Sequence, residues 1–178
     1  MRNRKDLFKP APKSTLYCFG EYNTSVPYIE SLGVQTHFGP PDDTLINSLN
    51  KPALVILDDL LLNLEEKWIN EVFTKKSHHN NFSIVLVTQN LFDKIIKVPR
   101  LNSMYIILTR APNSLLSIRN LGTMLFPKEL AFFLDAYKQA TKKQYEYLLI
   151  DLHPSSNPIL KLQSNIFPNE ERTIFIPK

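Results

Sequence analysis

Two adjacent aspartates at the end of an apolar run are the residues of this sequence best suited to chemistry. The stretch KPALVILDDLLLN, residues 51–63, passes from a proline through branched apolar residues to Asp58 and Asp59. Such a run is typical of a buried parallel strand, and ligands of parallel sheets bind beyond the carboxyl ends of the strands. The first carboxylate can hold hydrated Mg²⁺ against phosphate oxygens, while the second can orient or deprotonate an attacking water. The pair therefore fits nucleotide hydrolysis.

A purely structural interpretation of the same pair is also open. Carboxylates are favoured at the start of a helix, so Asp58 and Asp59 could cap the helix that follows them. A catalytic strand of this type normally works with a glycine-rich phosphate loop that lies earlier in the chain. The sequence holds four glycines, and none of them precedes a Lys-Ser or Lys-Thr pair. The motif alone leaves both interpretations standing.

Polar residues at the ends of the next apolar runs extend the candidate site. Thr88 and Gln89 follow one run, where a polar side chain can contact a γ-phosphate or position the attacking water. Arg110 follows the next run, and it or Arg119 could supply positive charge to a transition state, within the chain or towards a neighbouring subunit. We therefore expect Thr88 to contact the nucleotide, and Gln89 and Arg110 to take part in catalysis.

The order of elements predicts an α/β fold with a mostly parallel sheet and helices on both faces. Apolar runs that favour strands occur at 15–20, 34–38, 53–59, 82–89, 105–110, 145–152 and 159–163. Helical patterns lie between them, at 26–32, 42–50, 64–76, 114–125 and 128–143. Most of the runs are continuous, which suggests strands covered on both faces. We predict one domain, with a basic amino-terminal segment at 1–14, an α/β body at 15–152 and a surface-wrapping segment at 153–178.

The composition indicates a globular protein without a membrane span. No apolar run reaches the ~18–20 residues that cross a bilayer, and the basic amino terminus lacks the apolar region of a secretory signal. The single cysteine, Cys18, excludes a disulfide framework and indicates a reducing, intracellular setting, where we expect it to be a buried apolar residue. A net charge of +4 mildly favours an acidic partner such as nucleic acid.

The segment TKKSHHNN, residues 74–81, allows two interpretations. Adjacent histidines cannot share one helix face, and no cysteine or carboxylate lies at ligand spacing, so a zinc site is not expected. Lys75 and Lys76 make a basic loop near phosphates or DNA one interpretation. The other is a solvated carboxyl end of a helix, where cations are favoured.

The sequence also carries a family resemblance. The string FTKKSHHNNFSIVLVTQNLFDK, with VILDDL before it and YEYLLIDLHP and SNIFP after it, resembles the DNA-packaging ATPases of the FtsK/HerA type, in their poxvirus-like branch. It is more similar still to the ATPase-like proteins of Polinton/Maverick-type elements and related animal DNA viruses. The similarity runs from about RKDLF near the start to NIFP near the end. Its most specific block extends from TKKSHHNN to VTQNLF.

The resemblance implies a role for each matching residue. Asp58 would be the Walker B aspartate that associates with Mg²⁺, Asp59 the acidic catalytic residue beside it, and Gln89 the polar sensor. The implied fold is that of a P-loop NTPase, with ATP and Mg²⁺ as cofactors. The implied assembly is a ring of identical subunits acting on double-stranded DNA, in the nucleus or cytoplasm of a host cell or at a site of virion assembly.

The resemblance also accounts for the missing phosphate loop. LYCFGEY would correspond to the strand that follows the P-loop helix, so the P-loop strand, its loop and most of its helix would lie upstream of these residues. The sheet would then lack its usual central strand and leave an apolar gap beside the strand that ends at Asp58. An arginine expected near Asn113 is missing, which weakens an inherited arginine-finger role for Arg110 or Arg119.

The sequence is compatible with three functions. The first is a partial or degenerate DNA-packaging or DNA-translocating ATPase domain. The second is a catalytically inactive, element-derived binding or scaffold module. The third is a nucleic-acid-binding α/β protein that uses basic residues, namely Lys75, Lys76, Lys94, Lys97 and Arg100. The resemblance favours the first two, and the absence of a phosphate cradle predicts no efficient ATP turnover by this chain alone.

Overall fold

A computed structural model describes residues 3–177, so residues 1 and 2 of the predicted amino-terminal segment lie outside it. The chain divides into two compact units, Met1–Asn102 and Ser103–Lys178. Each unit has its own four-stranded sheet. The division falls inside the stretch 15–152 that the sequence predicts as one α/β body.

The sheet of the first unit is parallel throughout. Its strands are β1 (Ser14–Phe19), β2 (Gln35–Phe38), β3 (Ala53–Asp58) and β4 (Phe82–Val87), in the order β2-β1-β3-β4. The whole of β3 is paired on both sides, with β1 and with β4. The expected apolar gap beside the strand that ends at Asp58 is therefore wrong, because β1 and β4 occupy both neighbouring positions.

Helices precede, link and follow these strands, and they cover both faces of the sheet. They are α1 (Arg4–Leu7), α2 (Ser25–Ser31), α3 (Asp43–Ser48), α4 (Glu66–Glu71), a π-helical turn (Val72–Lys76), α5 (Ser77–His79) and α6 (Lys97–Asn102). The alternation of side chains along β1 divides the core into two layers. Cys18 faces a cluster that includes Ile69 and Phe73, while Tyr17 packs with Val26 of α2 on the opposite face.

The second unit combines an antiparallel sheet with a helical hairpin. Its strands are β5 (Tyr105–Thr109), β6 (Tyr147–Asp151), β7 (Leu162–Ser164) and β8 (Thr173–Phe175), paired in that order. Between β5 and β6 lie α7 (Leu115–Leu125) and α8 (Leu130–Ala140). The two helices meet at Gly122, where any Cβ would overlap the ring of Phe133 and crowd Leu130. Glycine at this position thus permits the close packing of the pair.

The prediction of a mostly parallel sheet holds for the first unit and is wrong for the second. All three pairings of the second sheet are antiparallel. One helix between two strands returns the chain to its starting end and gives a parallel pair, whereas two successive helices reverse it once more. The apolar run of β5 also misled the burial prediction, because Tyr105 and Ile107 are exposed while Ile106 and Leu108 are buried.

Two further differences concern parts of the chain with weak patterns. The segment 153–178, predicted to wrap the surface, supplies β7 and β8 to the sheet. Arg172 of the turn before β8 donates to Gln163 Oε1 from its Nε at 2.7 Å, which ties β8 to β7. The short helix α6 contains a proline and was not predicted.

Among residues 3–177, no helix combines the length and apolarity needed to cross a bilayer.

The burial of Cys18 predicts an unreactive thiol. Its side chain is fully buried, and burial raises the pKa of the thiol from 9.0 to about 12. Because the thiolate is the nucleophile, we expect alkylation by iodoacetamide at pH 8 to be about a thousandfold slower in the folded chain than in urea. Mass spectrometry of timed samples measures both rates.

The raised pKa of the Cys18 thiol also predicts how the stability of the fold changes with pH. The unfolded thiol ionises first as the pH rises from 9 towards 12, so the Cys18 contribution to the free energy of unfolding is lost over that range. A Cys18→Ala protein, which lacks this titration, is the matched control. Similar labelling rates in folded and unfolded chains would contradict the buried position of Cys18.

Candidate functional site

The carboxyl end of β3 presents both predicted aspartates at the edge of a cavity. Parallel pairing places Asp58 level with Phe19 of β1 and Val87 of β4. Asp58 is half-buried and Asp59 is exposed. The cavity has a volume of about 320 Å³, at the lower end for ligand sites, and its lining is Phe19, Gly20, Glu21, Tyr22, Asn23, Asp58 and Asp59. The aspartates therefore share one concave surface with the loop that leaves β1.

Asp58 is held from the neighbouring strand by Tyr17. The Tyr17 hydroxyl donates a hydrogen bond to Asp58 Oδ2. Burial of the phenol, with the hydrogen bond to Asp58 and its negative charge, raises the pKa of the Tyr17 hydroxyl well above its ordinary value. The hydroxyl thus stays protonated and acts as a donor to Asp58 across the physiological range.

Asp59 lies in a turn whose backbone packs against Gly20, the residue directly after β1. Its φ of 53° is in the left-handed region, which aspartate tolerates better than most residues. The Gly20 amide donates to the Asp58 carbonyl oxygen at 3.1 Å, and a Cβ at Gly20 would overlap the Asp59 carbonyl oxygen. The backbones after β1 and β3 are therefore in direct contact, which fixes where Asp59 leaves the sheet.

The carboxylates at this edge of the sheet are oxygen donors of the type that Mg²⁺ binds. Mg²⁺ keeps several waters and binds through one or two carboxylates together with substrate phosphates. Asp58 and Asp59 provide such a pair, and Glu21 lines the same cavity. In the described part of the chain, no group of three or more His, Cys, Asp or Glu residues is arranged to hold a metal ion.

Thr88 and Gln89 lie at the same edge of the sheet but not at the cavity. They follow Val87, so they extend beyond the level of Asp58. The Thr88 hydroxyl accepts from the Asn90 amide at 3.2 Å and thereby forms a local turn, while Gln89 is exposed. Neither is among the lining residues of the cavity in the described chain.

The two candidate arginines belong to the second unit. Arg110 directly follows β5 and is exposed, and Arg119 lies exposed on α7. Asp58 and Asp59 belong to the first unit. Neither arginine is among the lining residues of the cavity in the part of the chain that the structure describes.

The segment 74–81 is the end of a helix and not a basic loop. It begins within the π-helical turn and continues through α5. Lys76 Nζ contacts Asp43 at 2.7 Å and Glu71 at 3.6 Å, so its charge is compensated within the unit. Of the other cations considered for nucleic acid, Arg100 donates to the Leu91 carbonyl oxygen at 2.7 Å. These contacts favour a structural role for Lys76 and Arg100.

Residues from β1 and its following loop were missing from the predicted site. Tyr17 and Gly20 contact the aspartates, and Glu21 and Tyr22 line the cavity. The string LYCFGEY carries a signal for them, since a glycine directly after a buried strand often marks a close backbone approach. That signal becomes useful only once β1 is known to be the neighbour of β3.

The comparisons with known proteins give no identification. No model of a protein family matches the chain, and no similar curated protein or solved structure was found. The α/β class, with a four-stranded parallel sheet flanked by helices and a separate antiparallel sheet, therefore comes from the structure of this chain alone.

Replacement of Gly20 by alanine tests the contact between the two backbones. We expect Gly20→Ala to lower the free energy of unfolding by about 1–3 kcal/mol, because the added Cβ must displace the Asp59 carbonyl. The amide resonances of Asp58 and Asp59 should shift as the turn moves. Urea denaturation and two-dimensional NMR measure the two effects.

Gly33→Ala is the matched control. Gly33 has a φ of +70°, but a Cβ there meets no atom within 4 Å. Its substitution should cost about 1–2 kcal/mol for the left-handed backbone alone and leave the Asp58 and Asp59 resonances in place. Unchanged resonances in Gly20→Ala would show that the close approach does not set the turn.

Proposed function

We propose that the first unit is the acidic half of a Mg²⁺–ATP site in a partial or degenerate DNA-packaging or DNA-translocating ATPase domain. The observation that carries this proposal is the position of Asp58 and Asp59. Asp58 ends the central parallel strand β3 and Asp59 follows it, and both border a cavity with the loop that leaves β1. Ligands of parallel α/β sheets bind at this edge. The family resemblance of the sequence supports the same function.

The two carboxylates have different surroundings, which suits different roles. Asp58 is half-buried and tied to Tyr17, so its remaining oxygen is fixed in place to accept the metal or one of its waters. Asp59 is exposed on the adjoining turn and can accept a proton from, or orient, a water that attacks the γ-phosphate. Bound Mg²⁺ would supply neutralisation of the phosphate charge. Gln89 and Arg110 remain proposed catalytic residues. In this proposal they take their catalytic positions when the site is assembled in the ring.

The proposed site needs a phosphate cradle in addition to the two aspartates. Backbone N–H groups of a glycine-rich loop and its lysine normally grip the β- and γ-phosphates. The sequence lacks that motif. In this proposal double-stranded DNA is the substrate that is moved, and identical subunits form the ring that moves it. The proposed setting is the nucleus or cytoplasm of a host cell, or a site of virion assembly.

The 178-residue chain alone should bind Mg²⁺–ATP only weakly. Without a phosphate cradle we expect a dissociation constant above about 1 mM by isothermal titration calorimetry. Micromolar binding that Asp58→Ala abolishes would contradict this expectation, because it would show a complete site within these residues.

A fusion protein that supplies the phosphate cradle should hydrolyse ATP. We expect ATP hydrolysis when a strand, a phosphate loop ending in Gly-Lys-Ser and a helix are joined to the amino end. Asp59→Asn should then lower kcat by about 10²–10⁴-fold, the usual contribution of a general base, and Gln89→Ala should lower it less. Steady-state phosphate release measures both.

Asp135→Asn is the matched control for charge, since Asp135 is an exposed carboxylate on α8 of the second unit. It should leave kcat unchanged. Turnover that survives Asp59→Asn would show that the assigned role is wrong. A fusion protein that binds Mg²⁺–ATP without hydrolysing it would favour the inactive binding or scaffold module.

A further inference from the structure

We propose that Tyr17 is a positioning residue that makes Asp58 a single-oxygen ligand and so selects hydrated Mg²⁺ over Ca²⁺. The inference rests on the proposed function, in which Asp58 associates with the metal. It adds to that function a residue outside the Walker B motif and a basis for choosing the ion.

The position of Tyr17 follows from the pleat of the sheet. Tyr17 and Phe19 belong to the core layer that packs with α2, and Asp58 is the register partner of Phe19. Tyr17 is itself paired with Ile56, two residues before Asp58. Paired residues of adjacent strands point to the same side, so the Tyr17 phenol extends diagonally along β3 towards the Asp58 carboxylate.

The phenol has little freedom to leave this arrangement. Its side chain is 5% exposed, and its ring stacks on that of Phe19 with centroids 6.1 Å apart. Val26 and Ile29 of α2 complete the apolar packing of this layer. A hydroxyl in such surroundings needs a partner, and the one it has is Asp58 Oδ2. The strand pairing and the apolar layer together determine the direction from which Asp58 is held.

This hydrogen bond changes what Asp58 offers to an ion. With Oδ2 accepting from Tyr17, the two oxygens of Asp58 are no longer equivalent as ligands, and Oδ1 is the one that Tyr17 leaves free. Mg²⁺ needs single, well-directed oxygens and retains its waters, whereas Ca²⁺ favours more ligands and often takes a carboxylate through both oxygens. The geometry thus favours Mg²⁺, because a Ca²⁺ bound through both oxygens would have to share Oδ2 with the Tyr17 hydroxyl.

A purely structural role for Tyr17 makes a different prediction. If the hydroxyl only needs an acceptor, its removal should alter stability without changing the conformation of Asp58 or the preference between ions. If it positions the carboxylate, its removal should release Asp58 to several rotamers and make both oxygens available. The two roles can therefore be separated without measuring ATP turnover.

The test compares the wild-type chain with Tyr17→Phe by NMR. Three-bond couplings from the Asp58 Cγ to its backbone nitrogen and carbonyl carbon report its χ1 rotamer. We expect one rotamer in the wild type and averaged couplings in Tyr17→Phe. In titrations with Mg²⁺ alone and Ca²⁺ alone, followed at the Gly20 and Asp59 amides, the ratio of Ca²⁺ to Mg²⁺ affinity should rise at least about threefold in the variant.

Tyr147→Phe is the matched control. It also removes a tyrosine hydroxyl near a carboxylate, with Tyr147 Oη 3.5 Å from a Glu170 oxygen, but in the second unit. It should change neither the Asp58 couplings nor the affinity ratio. Averaged Asp58 couplings in the wild-type chain would overturn the inference even if Tyr17→Phe failed to fold.

The remaining outcomes separate this inference from the proposed function. Metal binding by both proteins with one unchanged affinity ratio would overturn selection by Tyr17 and leave the metal role of Asp58 intact. If neither ion shifts the Gly20 or Asp59 resonances in either protein, the metal role of Asp58 fails and ion selection fails with it. The couplings would still decide whether Tyr17 positions the carboxylate.

Discussion

The parallel pairing of β1 with β3 is the constraint on which the candidate site depends. Its register sets Phe19 beside Asp58, so the chain that leaves β1 must turn at Gly20 directly against Asp59. The same register brings the Tyr17 hydroxyl within reach of the Asp58 carboxylate. The hydrogen bonds between β1 and β3 thus fix the backbone contact of Gly20 with Asp59 and the hydrogen bond from Tyr17 to Asp58. They also fix the positions of the residues that line the cavity. Without that neighbour, the two aspartates would be polar residues at the end of a strand.

Local pattern was sufficient to predict the strand and its carboxylates. The apolar run 53–59 is dense and ends at adjacent charges, so its identity as β3 and the place of Asp58 and Asp59 follow from the sequence. The partners of Asp58 do not follow in this way. Which strand lies beside β3 depends on contacts between residues about forty positions apart, such as Tyr17 and Asp58. The pattern of LYCFGEY alone marks a buried strand and a glycine, but not its neighbour.

The second unit shows where an apolar run is ambiguous. YIILT is typical of a strand covered on both faces, yet Ile107 is exposed and Leu108 buried in an antiparallel sheet. Strand direction was set by the number of helices between β5 and β6, and this number is visible in the sequence. The strand β8 has three residues, too few to show a periodicity that predicts a strand. Its place in the sheet depends on its partners, for example on the hydrogen bond that Arg172 donates to Gln163 of β7.

The contact between α7 and α8 has a consequence for how this protein can change over generations. Because a Cβ at Gly122 would overlap the Phe133 ring and crowd Leu130, a larger residue at 122 requires a smaller residue at 133, with Leu130 also having to move or shrink. Substitutions at these positions of the two helices are therefore expected to occur together. Distant relatives that keep this hairpin should show the exchange as correlated substitutions, large for small on one helix and small for large on the other, even where little other sequence similarity survives.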